Sequence, residues 1–120
     1  MKSAETGRLG ERAALNWLRR EGYEVCETNW RYGRYEIDIV ARRWDELHLV
    51  EVKTRRAGSL APPEAAITPQ KRRAMLQAAR LYADWKQWPG EIRIDLAAVD
   101  VLPDGSMEVR FIPDAVQTHW

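Results

Sequence analysis

The apolar positions of the chain follow a helical period first and an alternating period afterwards. Residues 3–21 place apolar side chains three to four positions apart, and basic and amide side chains fall on the opposite side. Gly22 follows, as a residue that accepts the positive φ found just beyond a helix end. The spacing predicts an amphipathic helix whose apolar side consists of Ala14, Leu15, Trp17 and Leu18.

Alternating or short apolar runs after Gly22 predict strands. A second helix is predicted from Thr68-Pro69, favoured residues for an N-cap and a first helical position, to about Lys86. The predicted strands are residues 23–28, 36–42, 47–53, 91–101 and 107–112, and the main predicted loops are 29–35 and 55–66. The order α-β-β-β-α-β-β predicts an α/β fold with a mixed central sheet flanked by helices.

Charged residues interrupt two of these strands. A tight turn centred on residues 44–45 would place Asp38 opposite Glu51 and Glu36 opposite Lys53, whereas a longer turn would shift this register. Side chains that face each other on antiparallel strands are about 5 Å apart, so two carboxylates there repel. Such a pair needs a cation between its members, or a proton on one of them.

The acidic pair has the ligand chemistry that hard divalent cations prefer. Asp38, Glu51 and the main-chain carbonyl of Val52 would hold Mg²⁺ or Mn²⁺. Lys53 would hold a water or a phosphate oxygen and offset the charge that grows on phosphorus during hydrolysis. Glu11, at the edge of the apolar side of the first helix, is a further candidate for the metal and catalytic set. These residues predict a metal-dependent phosphodiester hydrolase.

The same charges also fit a purely structural arrangement. Glu51 and Lys53 would then form a salt bridge on an exposed sheet face, joined by Asp38 and Glu36. One predicted face is filled by Ile37, Ile39, Val50 and Val52, and on the other face Val40 and Leu49 accompany the charges, so both faces are partly apolar. This argues against a simple solvated side. A pattern as short as Glu-x-Lys nevertheless arises often by chance, so the residues alone leave both interpretations open.

Composition limits the class of protein. No apolar run is long enough to span a bilayer, and the single cysteine, Cys26, excludes an internal disulfide. We therefore expect one domain over residues 1–120 in the bacterial cytoplasm. The net charge is only +1, but residues 30–80 hold eleven basic and six acidic side chains, and residues 81–120 hold three and seven. This polarity favours a polyanionic partner, although solvated charge alone gives the same pattern.

Aromatic and basic residues alternate in Trp30-Arg31-Tyr32-Gly33-Arg34-Tyr35. The segment would stack bases and hold phosphates, or else its rings pack inward while the arginines face water. A second basic group is predicted to line a nucleic-acid groove with Arg31 and Arg34, and it consists of Lys53, Arg55, Arg56, Lys71, Arg72 and Arg73. Of the remaining candidates, His48 is predicted to be structural, and Trp85 and Trp88 to be core or lid residues.

The segments GRLGERAALNWLRREGYEV, NWR, EIDIV and LVEVKTR follow one another between Gly7 and Val101. They resemble the YraN-like family of uncharacterised bacterial proteins, in the PD-(D/E)XK nuclease superfamily, whose fold is related to that of archaeal Holliday-junction resolvases. The resemblance implies an αβββαβ core. It also implies that Asp38, Glu51 and Lys53 are the catalytic trio and that Glu11 lies near the metal.

Two more positions match family residues, and one departs from them. Glu36 matches the glutamate of a Gly-Glu-Ile-Asp segment, and Lys71 matches a lysine near the start of the second helix. Tyr35 stands where the family usually has Gly, which lets a backbone approach a ligand closely. Two functions remain open: a metal-dependent nuclease acting on DNA, including branched or structured DNA, with a homodimer as one way to cut two strands, and a nucleic-acid-binding module without hydrolysis.

Overall fold

The structure is a computed structural model that describes residues 3–118. Its helices and strands are α1 Ser3–Arg20, β1 Glu24–Tyr32, β2 Tyr35–Arg43, β3 Glu46–Arg56, α2 Pro69–Lys86, β4 Glu91–Val101 and β5 Met107–Val116. A short 3₁₀ helix, Pro63–Ala66, precedes α2. The predicted α/β class and element order are confirmed. None of the helices in the described part of the chain is long and apolar enough to cross a membrane.

The strands form one mixed sheet in the order β1-β2-β3-β4-β5. β3 and β4 are parallel because α2 carries the chain back between them, and the other neighbouring pairs are antiparallel. The β2–β3 ladder pairs Ile39 with Val50 and Arg43 with Glu46, so the register predicted from a tight turn is confirmed. Trp44 in this turn has a φ of 56°, the left-handed backbone that short hairpin turns use.

The two helices lie on opposite faces of the sheet, and each buries its own apolar cluster. The cluster under α1 includes Ala14, Leu18, Ile39, Val50 and Val99. The cluster under α2 includes Val40, Leu49, Ala78, Tyr82 and Ile94. The outer side of α1 is exposed at Arg8, Arg12, Asn16 and Arg19, as the helical spacing predicts.

The segment predicted as a loop, residues 29–35, is a β-hairpin, so this prediction was wrong. β1 continues to Tyr32, β2 begins at Tyr35, and these two residues are partners in the ladder. Gly33 turns the chain with a φ of 59°, and Asn29 has a φ of 52° within β1. Glycine and asparagine tolerate left-handed backbone, so the residues that indicated a loop here serve a tight turn and a strand irregularity.

Two other strand ends lie beyond their predicted positions. β3 continues to Arg56 because β4 pairs with it as far as Val101. β5 continues to Val116 through Pro113, which an edge strand tolerates since its outer side needs no ladder hydrogen bond.

α1 lies close against β3 at Gly10. A Cβ atom at this position would overlap the Oγ1 of Thr54 and lie 3.0 Å from its Cβ, whereas a Cβ at Gly7 would have no atom within 4 Å. Glycine inside a helix costs about 0.5–1 kcal/mol relative to alanine, and here it allows the helix to lie directly on the strand. The next residue, Glu11, is thereby held near the end of β3.

Candidate active site

The candidate site lies where β2 and β3 separate. Their ladder ends at Ile39 and Val50, and beyond this pair the N–H of Val52 donates to Oδ2 of Asp38 at 2.8 Å. In a strand, the N–H and C=O of one residue point toward the same neighbour, so the Val52 carbonyl faces the same side. The gap between the strands therefore brings together the Asp38 carboxyl and the Val52 carbonyl.

The alternation of side chains along β2 is interrupted at Asp38. Ile37 packs in the cluster under α2, whereas Ile39 packs in the cluster under α1. The strand pattern predicts both isoleucines on one face, which is wrong for Ile37. The irregularity falls where the ladder with β3 ends, and it leaves Asp38 between the two clusters.

Asp38 and Glu51 face each other across the gap. Burial raises the pKa of Asp38, and the hydrogen bond and charge of Glu51 and the charge of Glu11 raise it further. The hydrogen bond from the Val52 N–H lowers this pKa by less, so the pKa of Asp38 reaches about 8. This is the repulsion expected of opposed carboxylates. Without a cation between them, Asp38 retains its proton near neutral pH.

Lys71 supplies a cation to the other member of this pair. Its Nζ lies 2.7 Å from Oε2 of Glu51. Burial alone would lower the pKa of Lys71, but the hydrogen bond and charge of Glu51, with the charges of Asp38 and Glu36, raise it. Thr68 caps α2 by accepting the N–H of Lys71 at 3.1 Å, as predicted for this N-cap, so the first turn of the helix fixes the backbone of Lys71.

Glu11 lies on the α1 side of the gap. Its Oε1 accepts a hydrogen bond from Nδ2 of Asn29 at 2.8 Å, and its charge contributes to the raised pKa of Asp38. Asn29 was not among the predicted site residues. The feature that could have indicated it is that asparagine tolerates left-handed backbone. Asn29 has this backbone within β1, and its side-chain amide reaches Glu11 of α1.

Glu36 and Lys53 are not ladder partners, because the β2–β3 ladder ends at Ile39 and Val50, so the predicted pairing between them is wrong. Glu36 is instead the ladder partner of Arg31 in β1, and its carboxylate lies 3.3 Å from that guanidinium. Lys53 is exposed, and within residues 3–118 its amine makes no hydrogen bond or ion pair. Its positive charge is therefore available to a ligand.

Two open grooves meet at the gap, one on each face of the sheet. The groove on the α1 side has a volume of about 930 Å³, and the groove on the α2 side about 490 Å³. Four residues line both grooves: Glu36, Asp38, Val52 and Lys53. Asp38 and Lys53 are consequently open to a ligand from either face, and Glu51 is open from the α2 side.

Some of the predicted phosphate-binding residues lie along these grooves. Arg31 and Arg56 are exposed in the α1-side groove, and Lys71 lines the α2-side groove. Arg55 also lines the α1-side groove, but its guanidinium is hydrogen-bonded within the protein. Its Nε donates to Asp100 at 3.3 Å, and its Nη1 donates to the carbonyl of Ala61 at 2.6 Å.

The other predicted phosphate-binding residues lie outside these two grooves, and their contact with nucleic acid stays a prediction. Arg72 and Arg73 line a separate groove with Glu64, Gln77 and Val116, between α2 and the end of β5. Arg34 lies at the hairpin turn, in a surface pocket shared with Tyr35 and Arg73. Successive residues of a helix point about 100° apart, which is why Lys71 reaches the gap and Arg72 does not.

His48 faces away from the gap, as predicted. Its Nδ1 lies 2.7 Å from Oδ2 of Asp95, and both side chains are buried. Oδ1 of Asp95 accepts the N–H of Asp114 at 2.8 Å and so supports an irregular position in β5. The ring of Tyr23 meets that of His48 edge to face, with centroids 5.0 Å apart. These contacts give His48 a structural role.

All the residues of the gap lie within a stretch of the chain that matches one protein family. A model of the Uncharacterised protein family UPF0102 matches residues 10–99. The chain belongs to the UPF0102 family. This confirms the family predicted from the motifs, and the observed fold is compatible with the αβββαβ core that the resemblance implied.

UPF0102 proteins of several bacteria are similar to this chain over most of its length. One from Porphyromonas gingivalis is 42% identical over 102 residues, which are 85% of this chain and 76% of the relative. One from Lawsonia intracellularis is 41% identical over 100 residues, 82% of this chain and 76% of the relative. One from Bacteroides fragilis is 39% identical over 109 residues, 91% of this chain and 89% of the relative. The UPF0102 family is uncharacterised.

The donors in the gap suit a hard divalent cation in their chemistry. Asp38, Glu51, Glu11 and the Val52 carbonyl offer only oxygen, and Mg²⁺ is usually held by one or two carboxylates with waters and substrate oxygens completing its shell. Among the described residues, no three Asp, Glu, His or Cys side chains are close enough together to hold a metal ion. The fit is therefore that of a two-carboxylate site, with Lys71 already bonded to one of the carboxylates.

Proposed function

We propose that this UPF0102 protein is a nuclease that hydrolyses phosphodiester bonds in DNA and depends on Mg²⁺ or Mn²⁺. The observation that supports this proposal is the opposition of Asp38 and Glu51 in a gap that opens into two grooves, beside the unpaired amine of Lys53. Burying two facing carboxyl groups is unfavourable for the fold, and strongly perturbed acids in a cleft are characteristic of functional sites.

Asp38, Glu51 and the Val52 carbonyl would hold the metal ion. Glu11, which lines the α1-side groove with Asp38, would be a further ligand. When bound, such an ion polarises a phosphoryl oxygen and lowers the pKa of a coordinated water. Before binding, the proton on Asp38 neutralises one carboxyl and Lys71 neutralises the other. Binding therefore requires Asp38 to release its proton.

The remaining residues act on the nucleic acid itself. Lys53 would stabilise the charge on the phosphoryl oxygens as the bond breaks. Arg31 and Arg56, exposed along the α1-side groove, would hold neighbouring phosphates and so position the strand without reading its sequence. Because such contacts follow the backbone, single-stranded, duplex and branched DNA are the substrates to compare first.

A cleavage panel tests this proposal. Single-stranded, duplex and four-way-junction DNA of related sequence are incubated with Mg²⁺, with Mn²⁺ and with chelator. Asp38→Asn and Glu51→Gln are expected to abolish cleavage and to keep binding in chelator, whereas Lys53→Ala should lower turnover more than affinity. Glu108→Gln, an exposed acid on β5, is the matched control and should cleave like the wild type. If all three site variants kept the same measurable cleavage, the catalytic roles of Asp38, Glu51 and Lys53 would be excluded.

A nucleic-acid-binding module without hydrolysis is a second candidate, and the position of Lys71 favours it. The lysine gives Glu51 a permanent cation at 2.7 Å, so the fold does not need a metal ion to neutralise this carboxylate. This candidate predicts DNA binding that is equal with metal and with chelator, and no product on any substrate. Metal-dependent cleavage that Asp38→Asn removes would exclude it.

A further inference from the structure

Four aromatic side chains form a cluster where β1 crosses the second half of α2. The ring of Trp30 lies 6.4 Å from that of Tyr32, 5.2 Å from that of Tyr82 and 6.0 Å from that of Trp85. The rings of Tyr82 and Trp85 are 5.8 Å apart. We refer to Trp30, Tyr32, Tyr82 and Trp85 as the aromatic cluster.

The inner half of the aromatic cluster is fixed and its outer half is exposed. Tyr82 is buried, with its hydroxyl donating to Glu27 at 2.6 Å, and Trp30 packs against the apolar cluster under α2. Tyr32 and Trp85 are 61% and 59% exposed. Of the two roles predicted for Trp85, core or lid, this exposure excludes the core. Two large rings held on a rigid base and open to water form a surface suited to stacking.

Positive charge flanks the exposed rings at both ends. Nζ of Lys86 lies 5.2 Å from the ring of Trp85. At the other end, the guanidinium of Arg34 lies over the ring of Tyr35, which is the ladder partner of Tyr32. A ligand on the rings that also carries negative charge would meet both cations, and nucleic acids combine flat apolar bases with phosphates.

The aromatic cluster is connected to the proposed active site through a single strand. Along β1, Trp30 and Tyr32 face α2, while Arg31 between them lines the α1-side groove together with Asp38. A nucleic-acid strand that crosses the β1–β2 hairpin would therefore touch both surfaces. This continuity argues for a nucleic-acid strand as the occupant of the cluster.

We propose that Tyr32 and Trp85 stack against unpaired nucleobases of the substrate. This inference rests on the proposed function and narrows its substrate class to nucleic acid with a single-stranded segment, such as an overhang, a flap or an open junction arm. Bases inside a duplex are already stacked on one another, so exposed protein rings receive unpaired bases in preference to bases within a duplex. Stacking of this kind tolerates any sequence, because every base has a π face.

Binding measurements without catalysis test the proposal. The Asp38→Asn protein in chelator serves as the parent, and its affinity for a labelled single strand and for the matching duplex is measured by fluorescence anisotropy. Adding Tyr32→Ala or Trp85→Ala should weaken single-strand binding about tenfold and change duplex binding less than twofold. Tyr32→Phe and Trp85→Phe keep an aromatic face and should restore most of the affinity.

Trp44→Ala is the matched control. Trp44 is 74% exposed at the turn between β2 and β3, at the opposite end of β2 from the turn at Gly33. An alanine at this position must adopt the same left-handed backbone as the tryptophan. The stacking proposal would be overturned if Tyr32→Ala and Trp85→Ala lost no more single-strand affinity than Trp44→Ala does, or if they lost equal affinity for single strand and duplex. Either result would leave the proposed function intact. A parent that binds neither nucleic acid would overturn the proposed function as well.

Self-association provides a further test of the occupant. The parent and the two alanine variants are compared by analytical ultracentrifugation, and their folds by thermal melting. The proposal expects the same oligomeric state in all three proteins. Conversion of a dimer to monomers, with single-strand affinity unchanged, would assign the aromatic cluster to a contact between copies and overturn base stacking.

Discussion

The ammonium group of Lys71 lies 2.7 Å from the carboxylate of Glu51, so the first turn of α2 neutralises an acid of β3. Glu51 is only 18% exposed on its side chain, while Lys71 is about half exposed. The pair leaves Asp38, on the opposite strand, without a cation of its own. This arrangement explains why Asp38 is the member of the acidic pair whose pKa rises to about 8.

Removing the Lys71 charge should weaken the fold and strengthen metal binding. In chelator at pH 8, Lys71→Met is expected to lower the free energy of unfolding by about 1 kcal/mol, because Glu51 loses a partly screened ion pair. Millimolar Mn²⁺ should then raise the melting temperature of the variant more than that of the wild type, because the lysine no longer competes for Glu51.

Arg72→Met is the control for this experiment, since Arg72 is the next residue in α2 and lies outside the gap. It should melt like the wild type with and without Mn²⁺. If Lys71→Met gains no more from Mn²⁺ than Arg72→Met does, Lys71 and the metal ion do not compete.

The raised pKa of Asp38 makes stability depend on pH. Its pKa is about 8 in the folded protein against an ordinary value of 3.8, so the folded state binds more protons than the unfolded chain between these values. The contribution of Asp38 to stability is therefore complete below about pH 4 and is lost as pH rises toward 8. Asp38→Asn abolishes this titration and keeps an oxygen for the N–H of Val52.

Thermal melts of wild type and Asp38→Asn in chelator from pH 5 to pH 9 measure this effect. The melting temperature of the variant minus that of the wild type should increase with pH. Asp104→Asn, at an exposed turn, should leave that difference flat. A flat difference for Asp38→Asn would mean that Asp38 is ionised throughout this range.

Gly10→Ala should destabilise the protein, because its Cβ would overlap Thr54 and push α1 away from β3. Overpacking of this kind costs about 1–3 kcal/mol. Gly7→Ala, in the same helix with open space around the new Cβ, should instead stabilise by about 0.5–1 kcal/mol. Denaturant unfolding of the two variants distinguishes them, and equal free energies would contradict the close contact. Thr54→Ala combined with Gly10→Ala should recover part of the loss.

Local rules predicted the parts of the site that depend on neighbours in sequence. The turn at Trp44 and Asp45 sets the register of β2 against β3, and that register brings Asp38 to Glu51. Thr68 marks the start of α2 because capping is a local hydrogen bond. Ile37 was assigned to the wrong face because the alternation rule assumes an uninterrupted strand, and the break at Asp38 has no signature in the adjacent residues.

Features that depend on how elements pack were not predictable in this way. A helix pattern shows which side of α2 is apolar, but the rotation that brings Lys71 to Glu51 and leaves Arg72 outside is set by packing on the sheet. The burial of Arg55 likewise follows from β4, which brings Asp100 beside it.

Arg55 and Arg56 are adjacent and identical in type, but the structure assigns them different work. Arg56 is exposed in the α1-side groove. The guanidinium of Arg55 donates to Asp100, to the Ser59 hydroxyl and to the carbonyl of Ala61, and its side chain is 17% exposed. Arg56 is therefore suited to a phosphate, and Arg55 to holding the segment that follows β3.

Substituting each arginine by alanine separates these roles. Arg56→Ala should leave the free energy of unfolding within about 0.5 kcal/mol of the wild type and reduce the slope of log affinity against log salt by about 1, because one phosphate contact is lost. Arg55→Ala should lower the free energy of unfolding by about 2 kcal/mol, because Asp100 and Ala61 lose a charged donor, with a smaller change in the salt slope. Urea unfolding and DNA titrations at several salt concentrations in chelator provide both quantities. If the salt slope fell for Arg55→Ala and stayed unchanged for Arg56→Ala, then Arg55 and not Arg56 would make the phosphate contact.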